Sequence, residues 1–127
     1  MLIKKIICEV KKEHAIAFAL GQERWKEIKH IDGFVAQYGG WSESEHKAFI
    51  MGFWRNRSSY NEFMEKYHDP IYEKTGQSGT IESIDVWIDE KEVDSIKALT
   101  KEWLYTEAST ICEEWTITTD QTEGSVL

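Results

Sequence analysis

The pair His68-Asp69 has the residue types of an oriented general base. A carboxylate that accepts a hydrogen bond from one imidazole nitrogen fixes the tautomer of the ring and raises the basicity of the other nitrogen. Adjacent side chains seldom face the same way, however, and Asp69-Pro70 is also an ordinary helix end that places His68 favourably in the helix dipole. The sequence therefore leaves a catalytic His68 and a purely structural pair as alternatives.

Two glutamines are the polar side chains most suited to hold a ligand. Gln22 lies on the apolar stripe of a predicted helix, and Gln37 lies within a predicted strand. Burying an amide without a partner costs about 1 to 3 kcal/mol, so each needs one. A ligand carbonyl or hydroxyl group would serve. The backbone, the other glutamine or water at the helix edge would serve equally.

The aromatic content is high, with six Trp, five Tyr and five Phe. Each ring buries about 150 to 250 Å², so these rings exceed what a minimal core requires. Trp25, Trp41, Trp54 and Tyr60 are the candidates to line a substrate pocket. Core or subunit-interface packing is the alternative for each of them.

Several kinds of site lack their sequence pattern. The four histidines, His14, His30, His46 and His68, lie in separate elements without H-x-x-x-H or H-E-x-x-H spacing, so no metal is expected. The residues after Gly39 match no phosphate loop, and we expect no cofactor.

The global composition favours a cytoplasmic protein. The formal charge of −8 and the absence of a Lys- and Arg-rich run argue against nucleic acid. No segment approaches the ~18 to 20 apolar residues that span a bilayer, and the start has no cleavage signal, so no membrane association is expected. Cys8 and Cys112 have no C-x-x-C spacing, which fits reduced thiols.

Hydrophobic periodicity predicts six elements in the first ninety residues. They are a strand at 2–10, an amphipathic helix at 14–29, strands at 34–38 and 47–54, a helix from Ser58 or Ser59 to about 68–69, and a strand at 81–88. This β-α-β-β-α-β order predicts a ferredoxin-like α+β domain with two helices on one face of an antiparallel sheet.

The remaining residues predict an extension of the same domain from about residue 91. Val93, Ile96, Leu99 and Trp103 indicate a third helix, and the alternation over 111–117 indicates a last strand. We expect a single domain over 1–119 and a frayed tail at 120–127.

The predicted sheet is apolar on both faces. In the third strand Phe49 and Phe53 fall on one side, while Ile50 and Trp54 fall on the other. Because two helices cover one face only, the other would expose a large apolar patch. A homodimer that packs sheet against sheet would cover it. The alternative is that the C-terminal helix and strand cover it within one chain.

Several of these residues together resemble a known family. The pieces are Gln22-x-x-Trp25, Gly33-Phe34-x-x-Gln37-x-Gly39-Gly40-Trp41, Trp54, Tyr60, Phe63-Met64 and His68-Asp69. Over residues 2 to 90 the chain resembles the small bacterial YdbC-like proteins of unknown function, the DUF4937 group. These are similar to the antibiotic biosynthesis monooxygenase-like dimeric α/β barrels.

The resemblance implies a dimeric barrel that binds a small apolar or aromatic ligand, and a cofactor-independent monooxygenase is one form of it. In that form Trp25, Trp41, Trp54 and Tyr60 shape the cavity, Gln22 and Gln37 hold a carbonyl or hydroxyl, and His68 removes a proton from an aromatic substrate. A stress-related or accessory dimer without a substrate is the alternative.

Haem binding or degradation, known among similar barrels, is a minor alternative. Those barrels use an Asn on the first strand, where this chain has Ile7 and Cys8, and a Trp and a His on the second helix, where it has Phe63 and Glu73.

Overall fold

Four long antiparallel strands form the centre of the protein in the computed structural model, which describes residues 1–122. They are β1 (Leu2–Val10), β2 (Phe34–Ser42), β3 (Lys47–Trp54) and β4 (Ile81–Glu90). Their order across the sheet is β4-β1-β3-β2, and each neighbouring pair is antiparallel. This is the ferredoxin-like arrangement, so the predicted α+β fold class is confirmed.

Three helices cover one face of the sheet: α1 (Ala15–Glu23), α2 (Arg57–Lys66) and α3 (His68–Thr75). The single helix predicted at 14–29 is wrong in detail, because a 3-10 helix at Arg24–His30 follows α1. Trp25 and Ile28 are both buried there. With three residues per turn, these two side chains point to the same side, towards the core.

The second predicted helix is divided in two near Pro70. Asn56, and not Ser58 or Ser59, caps α2, since its side-chain oxygen accepts a hydrogen bond from the Ser59 backbone N–H at 2.8 Å. α2 ends at Lys66, and α3 begins at His68. Pro70 therefore lies in the first turn of α3, where its missing N–H breaks no helical hydrogen bond.

The other face of the sheet is partly covered by the chain itself. Helix α4 (Ile96–Glu107) lies against β2 and β3, where Ile96 packs with Met51 and Phe53. Its Trp103 ring stands edge-on to Phe49, with 5.8 Å between ring centroids. This half of the second face therefore needs no partner subunit, and the homodimer stays a prediction.

The segment after α4 turns back along the free edge of β2. The predicted strand over 111–117 is wrong as a continuous strand, because β5 (Thr110–Ile111) and β6 (Ile117–Thr118) flank a 3-10 turn at Glu113–Trp115. The turn carries Trp115 onto the helical side, where its ring packs edge-on to Phe18 at 5.9 Å. A regular strand would lack this change of direction.

The end of the described chain is anchored at β2. The hydroxyl groups of Thr119 and Thr122 donate to the Val35 carbonyl at 2.7 and 3.1 Å. Of the tail expected to fray at 120–127, residues 123–127 lie outside the described residues.

Strand β4 is exposed along almost its whole length. Ile84, Val86 and Ile88 on the helical side are 54%, 46% and 38% exposed, and Trp87 on the other side is 51% exposed. No strand of the described chain lies beside its outer edge.

Among the helices of residues 1–122, none has the length and apolar character that crossing a membrane requires.

Gly39→Ala should destabilise the protein by about 1–3 kcal/mol, because the new Cβ would lie 2.5 Å from a ring carbon of the rigidly packed Trp115. Gly52→Ala is the matched control, since its Cβ would make an ordinary 3.5 Å contact. Urea unfolding followed by tryptophan fluorescence measures both free energies of unfolding. Equal values for the two variants would contradict the packing of Trp115 against β2.

Candidate functional site

A cavity of about 290 Å³ lies between the helical layer and the sheet. This volume is just below the range of about 300 to 1,000 Å³ typical of ligand sites, so the cavity suits only a small molecule. Apolar and aromatic side chains form most of its wall. Its polar lining residues are Lys4, Gln22, Gln37, His68 and Gln77.

The fold brings together five of the seven residues singled out in the sequence. Gln22 comes from α1, Trp25 from the 3-10 helix, Gln37 from β2, Trp54 from β3 and His68 from α3, and all five line the cavity. Residues far apart in sequence therefore share one site.

The other two predicted residues lie outside the cavity lining. Trp41 is half-buried near the β2–β3 turn, where its indole N–H donates to the Glu43 carboxylate at 2.7 Å. Tyr60 is buried in the core against Trp54 and Phe63. Tyr60 still contributes indirectly, because its ring lies beneath the ammonium group of Lys4, 4.9 Å from the ring centroid.

His68 and Asp69 form the hydrogen-bonded pair that general-base chemistry requires. His68 Nδ1 lies 2.9 Å from Asp69 Oδ1, even though the two residues are adjacent. An Nδ1–H donated to this carboxylate leaves Nε2 as the basic nitrogen. The imidazole ring stacks on Tyr72 at 5.9 Å and lies 5.5 Å from Trp25, so aromatic neighbours hold its orientation.

Gln77 holds the helical layer together through its side-chain hydrogen bonds. No sequence pattern indicates this role. Its Nε2 donates to Gln22 Oε1 at 2.9 Å and to the Phe18 carbonyl at 3.1 Å, while its Oε1 accepts from the Trp25 indole at 2.9 Å. Its Gly- and Ser-rich surroundings are typical of an exposed loop, yet the side chain is buried. Gln22 therefore has a protein partner for its oxygen.

Gln37 lacks such a partner. Its side-chain amide makes no hydrogen bond to another residue of the described chain, although it lines the cavity. Its Oε1 lies over Gly52, 3.5 Å from where a Cβ on that glycine would stand. Gln37 is thus the amide left free for a ligand.

Lys4 is a cavity residue that the sequence reasoning missed. The alternation that places Leu2 and Ile6 on the helical side of β1 also places Lys4 there. This pattern could have identified Lys4 as a cavity residue. Its Nζ lies 3.7 Å from Met64 Sδ, and no carboxylate of residues 1–122 pairs with it. Burial lowers the pKa of Lys4 to about 8.

The one cysteine in the cavity lining of the described residues, Cys8, is not an activated nucleophile. Burial raises the pKa of the Cys8 thiol, which lines the cavity, to about 12, so it stays protonated at neutral pH. Within residues 1–122, no group of three or more His, Cys, Asp or Glu side chains is arranged to hold a metal ion.

Lys4→Met should raise the free energy of unfolding at pH 7 by about 1–3 kcal/mol, because it removes a charge that burial disfavours. The folded-state pKa of about 8 is below the value of 10.5 for an exposed lysine, so the unfolded chain binds more protons between these values. The cost is therefore complete below pH 8 and is relieved as pH rises towards 10.5.

Urea unfolding at pH 7 and pH 10 measures this gain, which should shrink at the higher pH. Lys5→Met, on the opposite face of β1, is the matched control and should raise stability less. A destabilised Lys4→Met protein at pH 7 would show that the ammonium group of Lys4 is well solvated or paired.

Comparisons with known proteins agree with this architecture. The family model of a domain of unknown function, DUF4937, matches residues 2–88. Uncharacterized protein YdbC of Bacillus subtilis (strain 168) is 45% identical over 95 residues, which cover 72% of this chain and 80% of that protein.

Solved structures share the fold at low identity. A candidate antibiotic biosynthesis monooxygenase of Deinococcus radiodurans has a TM-score of 0.63 at 12% identity, covering 73% of this chain and 94% of that one. A second candidate, of Nitrosomonas europaea, has a TM-score of 0.59 at 15% identity, covering 73% and 100%. These likenesses show that the chain has an antibiotic biosynthesis monooxygenase-like fold. At such low identity they say nothing about its activity. Because its family model spans more than half of the sequence, the chain belongs to the DUF4937 family of domains of unknown function.

Proposed function

We propose that this protein binds a small aromatic molecule in the cavity between the helices and the sheet. The observation that carries the proposal is a cavity of about 290 Å³ whose lining is apolar and aromatic except for a few polar side chains, those of Lys4, Gln22, Gln37, His68 and Gln77. A mostly apolar pocket with a few polar groups that fix orientation is the usual form of a small-molecule site. Its volume favours one or two fused rings.

The cavity wall on the β4 side is thin in a single chain. Ile84 lines the cavity and is 54% exposed, which indicates that the wall is thin on this side. Gln22, Trp25 and Gln77 also line the cavity, where their amides and indole are joined by hydrogen bonds.

The finer proposal is cofactor-independent oxygenation of a phenolic ring. His68, oriented by Asp69, takes the proton of the ring hydroxyl, and the side-chain NH₂ group of Gln22 donates to the oxygen. The resulting anion gives electrons to O₂, which adds at a ring carbon, and loss of water leaves a quinone. One phenol and one O₂ thus give one quinone and one water. The names of the two monooxygenase candidates of the same fold support this reaction.

The predicted homodimer is also proposed here, with β4 in its contact. Four large apolar side chains are exposed on this strand, and its outer edge has no neighbour within residues 1–122. Such a strand is prone to pair with another chain. The cytoplasm is the proposed location, because both cysteines of the described chain are free thiols.

Titration with 2-naphthalenemethanol, a neutral two-ring probe, tests the binding site through quenching of tryptophan fluorescence. We expect saturable binding that weakens at least tenfold in Tyr72→Leu, because Tyr72 belongs to the cavity wall. Tyr105→Leu, on the exposed side of α4, is the matched control and should bind as the parent protein does. Absence of saturable binding to the parent protein would overturn the proposal.

Oxygen uptake with 1-naphthol tests the finer proposal. The expected products are 1,4-naphthoquinone and water, one of each per O₂ consumed. His68→Gln should lose this activity completely but weaken binding of the neutral probe far less, because that probe binds without giving up a proton. A parent protein that binds the probe but consumes no O₂ with this substrate would contradict oxygenation of naphthols and leave the binding function standing.

Native mass spectrometry tests the homodimer. The parent protein should appear as a dimer, and Val86→Lys should shift it to a monomer, since the ammonium group would lie within the apolar contact. Tyr105→Lys is the matched control, on an exposed position of α4, and should leave the dimer intact. A monomeric parent protein would refute the dimer.

A further inference from the structure

Three residues form a row across the floor of the cavity. Lys4 of β1 lies opposite Gly52 of β3, and Gly52 lies opposite Gln37 of β2. Residues paired across neighbouring strands share one face of a sheet. Lys4 and Gln37 both line the cavity, so an ammonium group and an amide flank a position without a side chain.

Gly52 leaves an open space between these two groups. A Cβ built on it would meet one atom of the described chain within 4 Å, the Gln37 Oε1 at 3.5 Å. The backbone of Gly52 would therefore accept an alanine. Close packing therefore does not explain why residue 52, between Lys4 and Gln37, has no side chain.

Neither flanking group has its full set of partners. The Lys4 ammonium contacts the Tyr60 ring and Met64 Sδ but no carboxylate of residues 1–122. A buried cation without a counter-ion is costly, and a bound anion would remove that cost. The Gln37 amide can turn its NH₂ towards the gap without breaking a hydrogen bond to the described chain.

We propose that the row Lys4–Gly52–Gln37 binds the carboxylate of an aromatic acid. One carboxylate oxygen accepts from Lys4 Nζ and the other from Gln37 Nε2, while the group lies over Gly52. A carboxylate fits better than a single oxygen, because its two oxygens can meet donors on opposite sides. The aromatic ring then extends into the apolar part of the cavity. This inference rests on the proposed binding function and names its ligand class.

A pair of probes with the same ring system tests the subsite at pH 7. 2-Naphthoate carries the carboxylate, and 2-naphthalenemethanol is its neutral counterpart. The parent protein should bind 2-naphthoate at least tenfold more tightly. Lys4→Met should lower the affinity for 2-naphthoate at least tenfold more than it lowers the affinity for the neutral probe.

Gly52→Ala separates the shape of the subsite from its charge. The added methyl group occupies the space over Gly52, so binding of 2-naphthoate should weaken several-fold more than binding of the neutral probe. Lys5→Met, on the opposite face of β1, keeps the cavity intact and should leave both affinities unchanged.

The outcomes separate the two proposals. Equal affinity of the parent protein for both probes, or equal losses for both in Lys4→Met, would overturn the carboxylate subsite and leave the binding function standing. Failure of both probes to bind would overturn the binding function and the subsite together.

Discussion

Apolar side chains on both faces of β1 and β3 set the main physical constraint on this fold. Strand alternation directs Ile3 to one face and Leu2 to the other, and both are buried. Two separate layers must therefore exclude water. Helices α1–α3 form one layer, and α4 forms part of the other. Strand β4 lies beyond the reach of both, and its apolar side chains remain accessible to water or to another chain.

The cavity follows from how the helical layer is fixed above the sheet. Gln77 links α1, the 3-10 helix and the loop before β4 through hydrogen bonds. Such links position a layer without filling the space below it. The floor of that space carries Lys4, whose burial lowers its pKa and costs stability. Groups that reduce stability at a cavity are characteristic of binding sites, where function opposes maximal stability.

The helices and strands that could be predicted from the sequence are those marked by the spacing of apolar residues within one segment. Two-residue alternation identified β1, β3 and β4, and the three- and four-residue spacing of apolar residues identified the helices. Gln22 and Gln37 were recognisable because each is a polar residue at an apolar position of such a pattern. The family resemblance, stated from Gln22-x-x-Trp25 and the residues around Gly39, is confirmed by the family model.

Features that depend on contacts distant in sequence were not predictable in this way. Trp115 reaches Gly39 and Phe18 only because a 3-10 turn interrupts the expected alternation. The buried role of Gln77 depends on α1 lying across its loop, and nothing in the loop composition indicates this. Coverage of Met51 and Phe53 by α4 likewise depends on the direction of the chain after β4.

The position of Trp115 shows that the domain has two different boundaries, one from sequence similarity to the family and one from the extent of its buried core. Similarity to the family ends at residue 88, but Trp115 and Ile117 belong to the same buried clusters as Phe18 and Trp54. A chain shortened to the family boundary would lose these two side chains and the whole of α4. It would expose apolar surface on both sides of the sheet and would be prone to aggregate. The segment that the family model matches is therefore shorter than the segment that forms the buried core of this chain.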